Sequence, residues 1–83
     1  MYHLLLTATA KKNLRKLDKK YRSAVEKALS RLKENPRTGE PLKGELKGHW
    51  KLRFSRYRII YRILDEILVI IIVEIGHRRE IYR

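Results

Sequence analysis

The chain has 83 residues, enough for one small domain and close to the size at which a single hydrophobic core only just suffices. It contains no cysteine, which excludes a disulfide scaffold and a thiolate metal site. Lys and Arg number 21 against 9 Asp and Glu, for a net charge of +12. So high a charge favours an acidic partner, such as nucleic acid, a membrane surface or an acidic protein. These figures predict one domain over residues 1–83, stabilised by packing alone.

The amino terminus and the longest apolar stretch both indicate a protein that is neither exported nor inserted into a membrane. Residues 1–7 are too short for a signal peptide and lack its basic start. The apolar stretch Ile67–Val73 is far shorter than the ~20 residues that span a bilayer. The sequence therefore predicts a soluble cytoplasmic protein with no membrane partner.

The first half of the chain predicts a strand followed by two helices. Tyr2–Leu6 is a short apolar run typical of a strand, and Thr7 or Thr9 can cap the following helix by accepting a first-turn amide. Apolar residues then recur at helical spacing, with a shift of face near Leu17–Lys20. We expect a helical hairpin broken there and ended at Asn35-Pro36, because the residue before proline is pushed out of the α region.

The second half predicts a three-stranded antiparallel meander. Strand-like runs cover Trp50–Phe54, Arg58–Leu64 and Ile67–Ile75, with Ser55-Arg56 and Asp65-Glu66 as short turns between them. The first part of the last run is apolar at both parities, which predicts a strand covered on both faces. The expected fold class is α+β, with an amino-terminal strand, a helical hairpin and a meander that completes one sheet.

A cationic block in this second half carries the strongest functional signal. Residues 46–62 contain six Lys or Arg and no acid. Because successive side chains of a strand point to opposite sides, Trp50 and Leu52 share one face while Lys51 and Arg53 share the other. One face can join a core while the other binds a polyanion.

Several kinds of site are disfavoured by residue spacing. The carboxylates are scattered without the clustering that a metal nuclease needs, and His3, His49 and His77 lack zinc-ligand spacing. The glycines form no phosphate-binding loop, and no serine stands in a nucleophile motif. We expect neither a metal nor a cofactor, which leaves cationic chemistry on a phosphodiester.

Metal-free RNA cleavage needs a base for the 2′-hydroxyl proton, a cation for the developing phosphorane charge and an acid for the leaving 5′-oxygen. Arg58 and Arg78 suit the phosphate clamp, because a guanidinium stays charged and offers forked donors. Lys51 can act as the base if Arg53 and Arg58 favour its neutral form, since like charges disfavour protonation.

Histidine and tyrosine offer alternatives for the proton-transfer roles. Histidine in general titrates nearer neutrality than lysine, so His49 and His77 compete for the roles of base and acid. Tyr82 can orient the 2′-hydroxyl or stack on a base. Composition alone indicates a nucleic-acid binder more strongly than an enzyme.

Together these segments resemble the RelE/ParE superfamily of type II toxins, in particular the RelE branch of ribosome-dependent mRNA interferases. The resemblance covers almost the whole chain and is most specific in the tyrosine-arginine hairpin and the ending. Its motifs are the Ala8–Leu17 helix, the Asn35-Pro36 break, the loop with Leu42-Lys43-Gly44 and Gly48, Lys51-Leu52-Arg53, Tyr57-Arg58-Ile59-Ile60-Tyr61, and Gly76-His77-Arg78-Arg79-Glu80-Ile81-Tyr82.

The resemblance implies cleavage of mRNA in the ribosomal A site, leaving a 2′,3′-cyclic phosphate and a 5′-hydroxyl. Arg58, Arg78, Lys51 and Tyr82 match catalytic positions of the family. His49 and His77 stand where some members have lysine, so both stay candidates for acid or base. The basic residues expected to contact RNA are Arg53, Arg56, Arg79 and Arg83.

The resemblance and the charge together imply partners. We expect an acidic RelB-like antitoxin to cover the basic groove, with the toxin monomeric alone and hetero-oligomeric with its antitoxin. The ribosome with mRNA in its A site is the expected target. Two alternatives stay open, a ParE-like toxin that inhibits DNA gyrase and a non-catalytic basic RNA-binding domain.

Overall fold

A computed structural model describes residues 1–77 and contains one sheet of five strands within them. The strands are β1 (His3–Leu6), β2 (Glu40–Pro41), β3 (Trp50–Phe54), β4 (Tyr57–Leu64) and β5 (Val69–His77). The helices are α1 (Ala8–Lys16) and α2 (Lys19–Glu34), and short 3₁₀ turns cover Pro36–Thr38, Gly44–Leu46 and Asp65–Ile67.

The strand order is β1-β5-β4-β3-β2, with β1 parallel to β5 and every other pair antiparallel. The predicted α+β class, helical hairpin and antiparallel meander are therefore confirmed. The helical hairpin follows β1 in the chain. In the sheet, β1 forms one edge and pairs with β5, the last strand. The two-residue β2 at the other edge was not predicted.

Local hydrogen bonds explain where the helices begin and end. Thr7, and not Thr9, caps α1, because its Oγ1 accepts the Ala10 amide at 3.0 Å and donates to the Val73 carbonyl at 2.7 Å. The Asp18 carboxylate caps α2 by accepting an amide at 3.4 Å. At the other end of α2, Asn35 is the last capping residue before the predicted proline stop.

The apolar faces of both helices pack against one face of the sheet, which we call the inner face. Fully or almost fully buried side chains from both layers form the core there. They are Ala10, Val25, Ala28, Leu29, Leu32, Leu52, Ile59, Tyr61, Ile70, Ile72 and Ile75. Burying a large aliphatic side chain of this kind contributes about 1.5–3 kcal/mol, so this layer supplies the main stabilisation.

The last strand differs from its prediction at its start and in its burial. It begins at Val69, because Ile67 and Leu68 lie in the preceding turn and are 62% and 47% exposed. Ile70 and Ile72 are buried, whereas the alternate Ile71 is half-buried on the opposite face. The predicted cover on both faces is therefore complete only on the inner side within residues 1–77, because apolar composition does not show which parity meets the helices.

Asp65 anchors the turn between β4 and β5, which is longer than the predicted Asp65-Glu66 turn. Its carboxylate accepts the Tyr2 hydroxyl and the Arg37 guanidinium, each at 2.6 Å. The hydrogen bond from Arg37 is the main reason that the pKa of Asp65 lies below its ordinary value. The ion pair between Arg37 and Asp65 brings the segment after α2 beside the β4–β5 turn.

A bulge in β5 changes which side chains reach the face opposite the helices. Ile60 pairs with Glu74 while Tyr61 pairs with Ile72, so Val73 is an extra residue on β5. A bulge reverses the in-and-out alternation beyond it. Ile75 consequently faces the core, whereas Glu74, which is in register with Ile60, faces outward.

The segment after α2 is seated on the sheet through Tyr61. The fully buried Tyr61 donates its hydroxyl to the Pro36 carbonyl at 2.6 Å, and burial raises the pKa of Tyr61 to about 12. A side chain on Gly39 would clash with the Lys51 carbonyl and the Tyr61 hydroxyl. Only glycine therefore fits this approach, which sets β2 beside β3 with Glu40 opposite Lys51.

We expect Tyr61→Phe to lower the free energy of unfolding at pH 7 by about 1 kcal/mol, because it leaves the Pro36 carbonyl without its donor. At high pH the order should reverse, and Tyr61→Phe should have the larger free energy of unfolding. Unfolded tyrosine ionises near pH 10 whereas Tyr61 resists ionisation until about 12, so the wild type alone loses stability as pH rises between these values.

Urea denaturation at several pH values checks this expectation. By pH 12 the wild type should have lost about 2 kcal/mol of stability relative to Tyr61→Phe. Tyr21→Phe is the control and should keep the wild-type alkaline loss. Parallel stability curves for wild type and Tyr61→Phe would contradict the assignment.

Candidate active site

The sheet face that points away from the helices, which we call the outer face, collects the predicted cations of β3 and β4. In β3, Leu52 faces the core and its neighbours Lys51 and Arg53 point outward. Arg53 is directly opposite Arg58, and Lys51 is directly opposite Ile60. Three predicted site residues, Lys51, Arg53 and Arg58, thus lie together on one face.

These three cations differ sharply in exposure. Arg53 is exposed, whereas Arg58 is 4% exposed and the Lys51 side chain is 14% exposed. A guanidinium stays charged when it is enclosed, and its field is then less screened by water. Arg58 is therefore held at a defined place in the sheet, while Arg53 reaches into solvent beside it.

Glu40 of β2 is the acidic partner that the structure brings to this cluster. Its Oε2 lies 3.7 Å from the Nζ of Lys51. A cleft of about 190 Å³ between β2 and β3 is lined by both residues, Gly39 and Arg53, among others. Glu40 was not singled out from the sequence, because it stands in a Gly- and Pro-containing loop whose contacts depend on β2.

A second carboxylate, Glu74, also faces outward. It is half-buried and lies in register with Ile60, which lies between it and Lys51 on the sheet. Regular alternation from the buried Ile70 and Ile72 would have placed residue 74 in the core. The bulge at Val73 reverses that parity, and no residue type in the segment announces a bulge.

The two candidate histidines are placed differently. His49 directly precedes β3, two residues before Lys51, and its Nδ1 is buried with no hydrogen-bond partner within residues 1–77. A buried polar atom without a partner is costly, and such atoms are often found at functional sites. His49 is therefore positioned near the cationic cluster with an unused ring nitrogen.

His77 lies on the inner side of the sheet. It pairs with Tyr57, and the two rings make an edge contact with centroids 5.7 Å apart. With Lys16 and Leu17 of α1 it lines a cleft of about 300 Å³ at the end of the sheet. The structure thus separates the His77 ring from Lys51 by the thickness of the sheet.

The other predicted residues lie at the turn or outside the described part. Arg56 is exposed in the β3–β4 turn, where Ser55 adopts a positive φ of 52°. The predicted site residues Arg78, Arg79, Tyr82 and Arg83 all lie outside the described residues 1–77. In the described part, no three His, Asp or Glu side chains are grouped so that they could share a metal ion. No helix of that part has the length and hydropathy to cross a membrane.

Comparison with known proteins decides the family. The model of the ParE toxin of type II toxin-antitoxin systems matches residues 4–82. The chain belongs to this toxin family. Among its relatives, Toxin RelG of Mycobacterium tuberculosis is 40% identical, with 99% of this chain and 97% of the relative covered. The mRNA interferase toxin RelE of Escherichia coli is 34% identical, with 98% and 90% covered.

Solved structures agree with the RelE-like fold expected for this toxin. A chain of the toxin-antitoxin complex RelBE2 from M. tuberculosis superposes with a TM-score of 0.85 at 39% identity, covering 93% of this toxin and 98% of that chain. The isolated E. coli RelE toxin superposes with a TM-score of 0.82 at 30% identity, covering 93% and 84%. The predicted fold and family are confirmed.

We expect Arg53→Thr to raise the free energy of unfolding of this toxin by about 0.2–1 kcal/mol, because like charges directly opposite on antiparallel strands are destabilising. Arg62→Thr is the matched control, since Arg62 is exposed on the same face but pairs with Ile71. Thermal unfolding of both variants tests this. An equal gain in both would assign the effect to strand propensity instead of to the Arg53–Arg58 pair.

Proposed function

We propose that this toxin is an endoribonuclease, an mRNA interferase that cleaves mRNA in the ribosomal A site. The observation that carries the proposal is the gathering of Lys51, Arg53 and Arg58 on one sheet face. Similarity to a relative named mRNA interferase toxin RelE supports the same reaction class. The exposed and enclosed cations together suit a polyanionic strand that must be both attracted and held.

The proposed reaction is an attack of the 2′-oxygen on the adjacent phosphorus. The bond from the 2′-oxygen to phosphorus forms, the bond to the 5′-oxygen breaks, and the products are a 2′,3′-cyclic phosphate and a 5′-hydroxyl. Arg58 stabilises the charge that develops on the phosphate oxygens. Since Arg58 is 4% exposed, RNA binding has to bring the phosphate to an enclosed guanidinium or uncover it.

The remaining roles fall to residues around this clamp. Arg78 is proposed as a second clamping guanidinium and Tyr82 as the group that orients the 2′-hydroxyl. His49 is the proposed base, because its buried Nδ1 lacks a partner within residues 1–77 and it stands next to β3. His77 lines the inner cleft, and is therefore the weaker candidate for a proton-transfer role.

The proposed ribosome dependence rests on the alignment of the reacting atoms, which the outer face does not provide for free RNA. Cations attract any RNA strand but do not by themselves align the 2′-oxygen with the leaving oxygen. Alignment of this kind can supply roughly 7–11 kcal/mol of the barrier reduction. A codon held in the A site would arrive already ordered, so cleavage of programmed ribosomes should exceed cleavage of the same RNA in solution.

The proposed storage of the toxin in an inactive form uses the same surface. Solved relatives are described as RelBE2 and RelBE toxin-antitoxin complexes. We propose an acidic RelB-like antitoxin that covers the outer face and neutralises part of the +12 charge. Electrostatic complementarity of this kind speeds capture of a newly made toxin.

We expect Arg58→Ala to slow single-turnover cleavage of programmed ribosomes about 100-fold or more, by analogy with removal of an oxyanion donor. Arg62→Ala, which removes an exposed arginine from the same strand, should keep the rate within about threefold, the modest change of a rim charge. Mapping of RNA 5′ ends and circular dichroism of each variant provide the measurements.

An Arg58→Ala toxin that still cleaves and arrests growth as the wild type does would contradict the clamp. A wild-type toxin that arrests growth without any ribosome-bound cleavage would direct attention to gyrase. A supercoiling assay would then test the ParE-like alternative, which the matched family description keeps relevant.

A further inference from the structure

The ion pair between Glu40 and Lys51 joins the sheet edge to the proposed catalytic cluster. The two residues are directly opposite in the β2–β3 pairing, and 3.7 Å separates Oε2 from Nζ. Lys51 is largely enclosed, with 14% of its side chain exposed, while the Glu40 side chain is 73% exposed. Enclosure by itself disfavours an ammonium, so a neighbouring carboxylate matters for its charge, and the exposure of Glu40 limits the pair to the strength of a surface ion pair.

Charged groups on β2, β3, β4 and β5 share the outer face with Lys51. The carboxylates favour the ammonium form and the guanidinium groups disfavour it. They are Glu40 of β2, Arg53 of its own strand, Arg58 and Arg62 diagonally on β4, and Glu74 of β5, with His49 preceding β3. Residues at i and i+2 of a strand, or diagonal across strands, lie roughly 7 Å apart.

Distance favours the carboxylate in this competition. The Coulomb interaction falls with separation, and the Glu40 carboxylate lies only 3.7 Å from Nζ. The exposed Arg53 and Arg62 side chains can turn into solvent, whereas β2 pairing keeps Glu40 opposite Lys51.

We propose that Glu40 is a positioning residue that keeps Lys51 in its ammonium form, so that Lys51 donates to the reacting phosphodiester and does not serve as the base. This inference rests on the proposed nuclease function. In the reaction, the 2′-hydroxyl proton passes to a base other than Lys51. The Lys51 ammonium gives a proton to the departing 5′-oxygen as its bond to phosphorus breaks.

A direct test measures the protonation of Lys51 without using activity. The lysines are reductively methylated with ¹³C-formaldehyde, the Lys51 signal is assigned by its loss in Lys51→Arg, and its titration is followed by NMR. Glu40→Gln should move the midpoint of that titration down by about 0.2–0.7 pH unit, the size of an exposed ion pair. Glu45→Gln, in an exposed turn of the neighbouring loop, should leave it unchanged. An unchanged midpoint in Glu40→Gln overturns the coupling, whether or not the toxin cleaves RNA.

The role of Lys51 is tested by the pH dependence of single-turnover cleavage on programmed ribosomes. If Lys51 donates, the rate falls at alkaline pH, and Glu40→Gln lowers the rate on that falling limb about two- to fivefold. At pH 6.5 the two rates should agree. If Lys51 is the base, Glu40→Gln raises the rate instead, which overturns the proposal.

The Lys51→Arg background provides the matched control for that profile. Arginine stays protonated throughout the range, so Glu40→Gln should have no pH-dependent effect there. The same pH-dependent loss in both backgrounds would show that Glu40 acts on another group, and would overturn the assignment. A midpoint shift without any cleavage by the wild type would leave the ion pair standing and refute the nuclease function.

Discussion

The contact between Tyr61 and the segment that follows α2 is the constraint on which the site depends. The buried hydroxyl reaches the Pro36 carbonyl at 2.6 Å, and Gly39 comes too close to β3 for any side chain. Without this seat the two-residue β2 would have little to hold it against β3. Glu40 would then lose its place opposite Lys51, and the cleft between β2 and β3 would open.

The hydrophobic core and the proposed active site lie on opposite faces of one sheet. The inner face buries aliphatic side chains against both helices and supplies the folding energy. The outer face places Arg53 opposite Arg58, an arrangement that costs stability but concentrates positive charge. Because the two faces belong to the same strands, the packed core fixes the positions of the cations on the outer face.

Much of the fold was predictable because local signals agree with it. The Asn35-Pro36 stop and the helical spacing predict the helices, and the alternation in β3 predicts a strand. The structure contains these elements. The pairing of β1 with β5 and the short β2 were not predictable, because they depend on contacts between distant segments. The hydrogen bonds from Tyr2 and Arg37 to Asp65 likewise join segments that are distant in the sequence.

The candidate site was predictable in its cations and not in its acids. Alternation alone places Lys51 and Arg53 on one face, and the hairpin adds Arg58. Glu74 reaches that face through a bulge, and Glu40 reaches Lys51 through the seat of β2. Both acids therefore come from irregular backbone, for which residue type carries little information.

The packing of β2 against β3 can be tested most directly by the Gly39→Ala variant. Amide hydrogen exchange of Leu42 reports whether β2 stays packed against β3, since the Leu42 N–H donates to the His49 carbonyl at 2.9 Å beside β2. The account predicts that the variant still unfolds cooperatively but loses protection at Leu42 and loses cleavage of programmed ribosomes with it. Unchanged Leu42 protection, or full cleavage after that protection is lost, would contradict the claim that Tyr61 and Gly39 build the site.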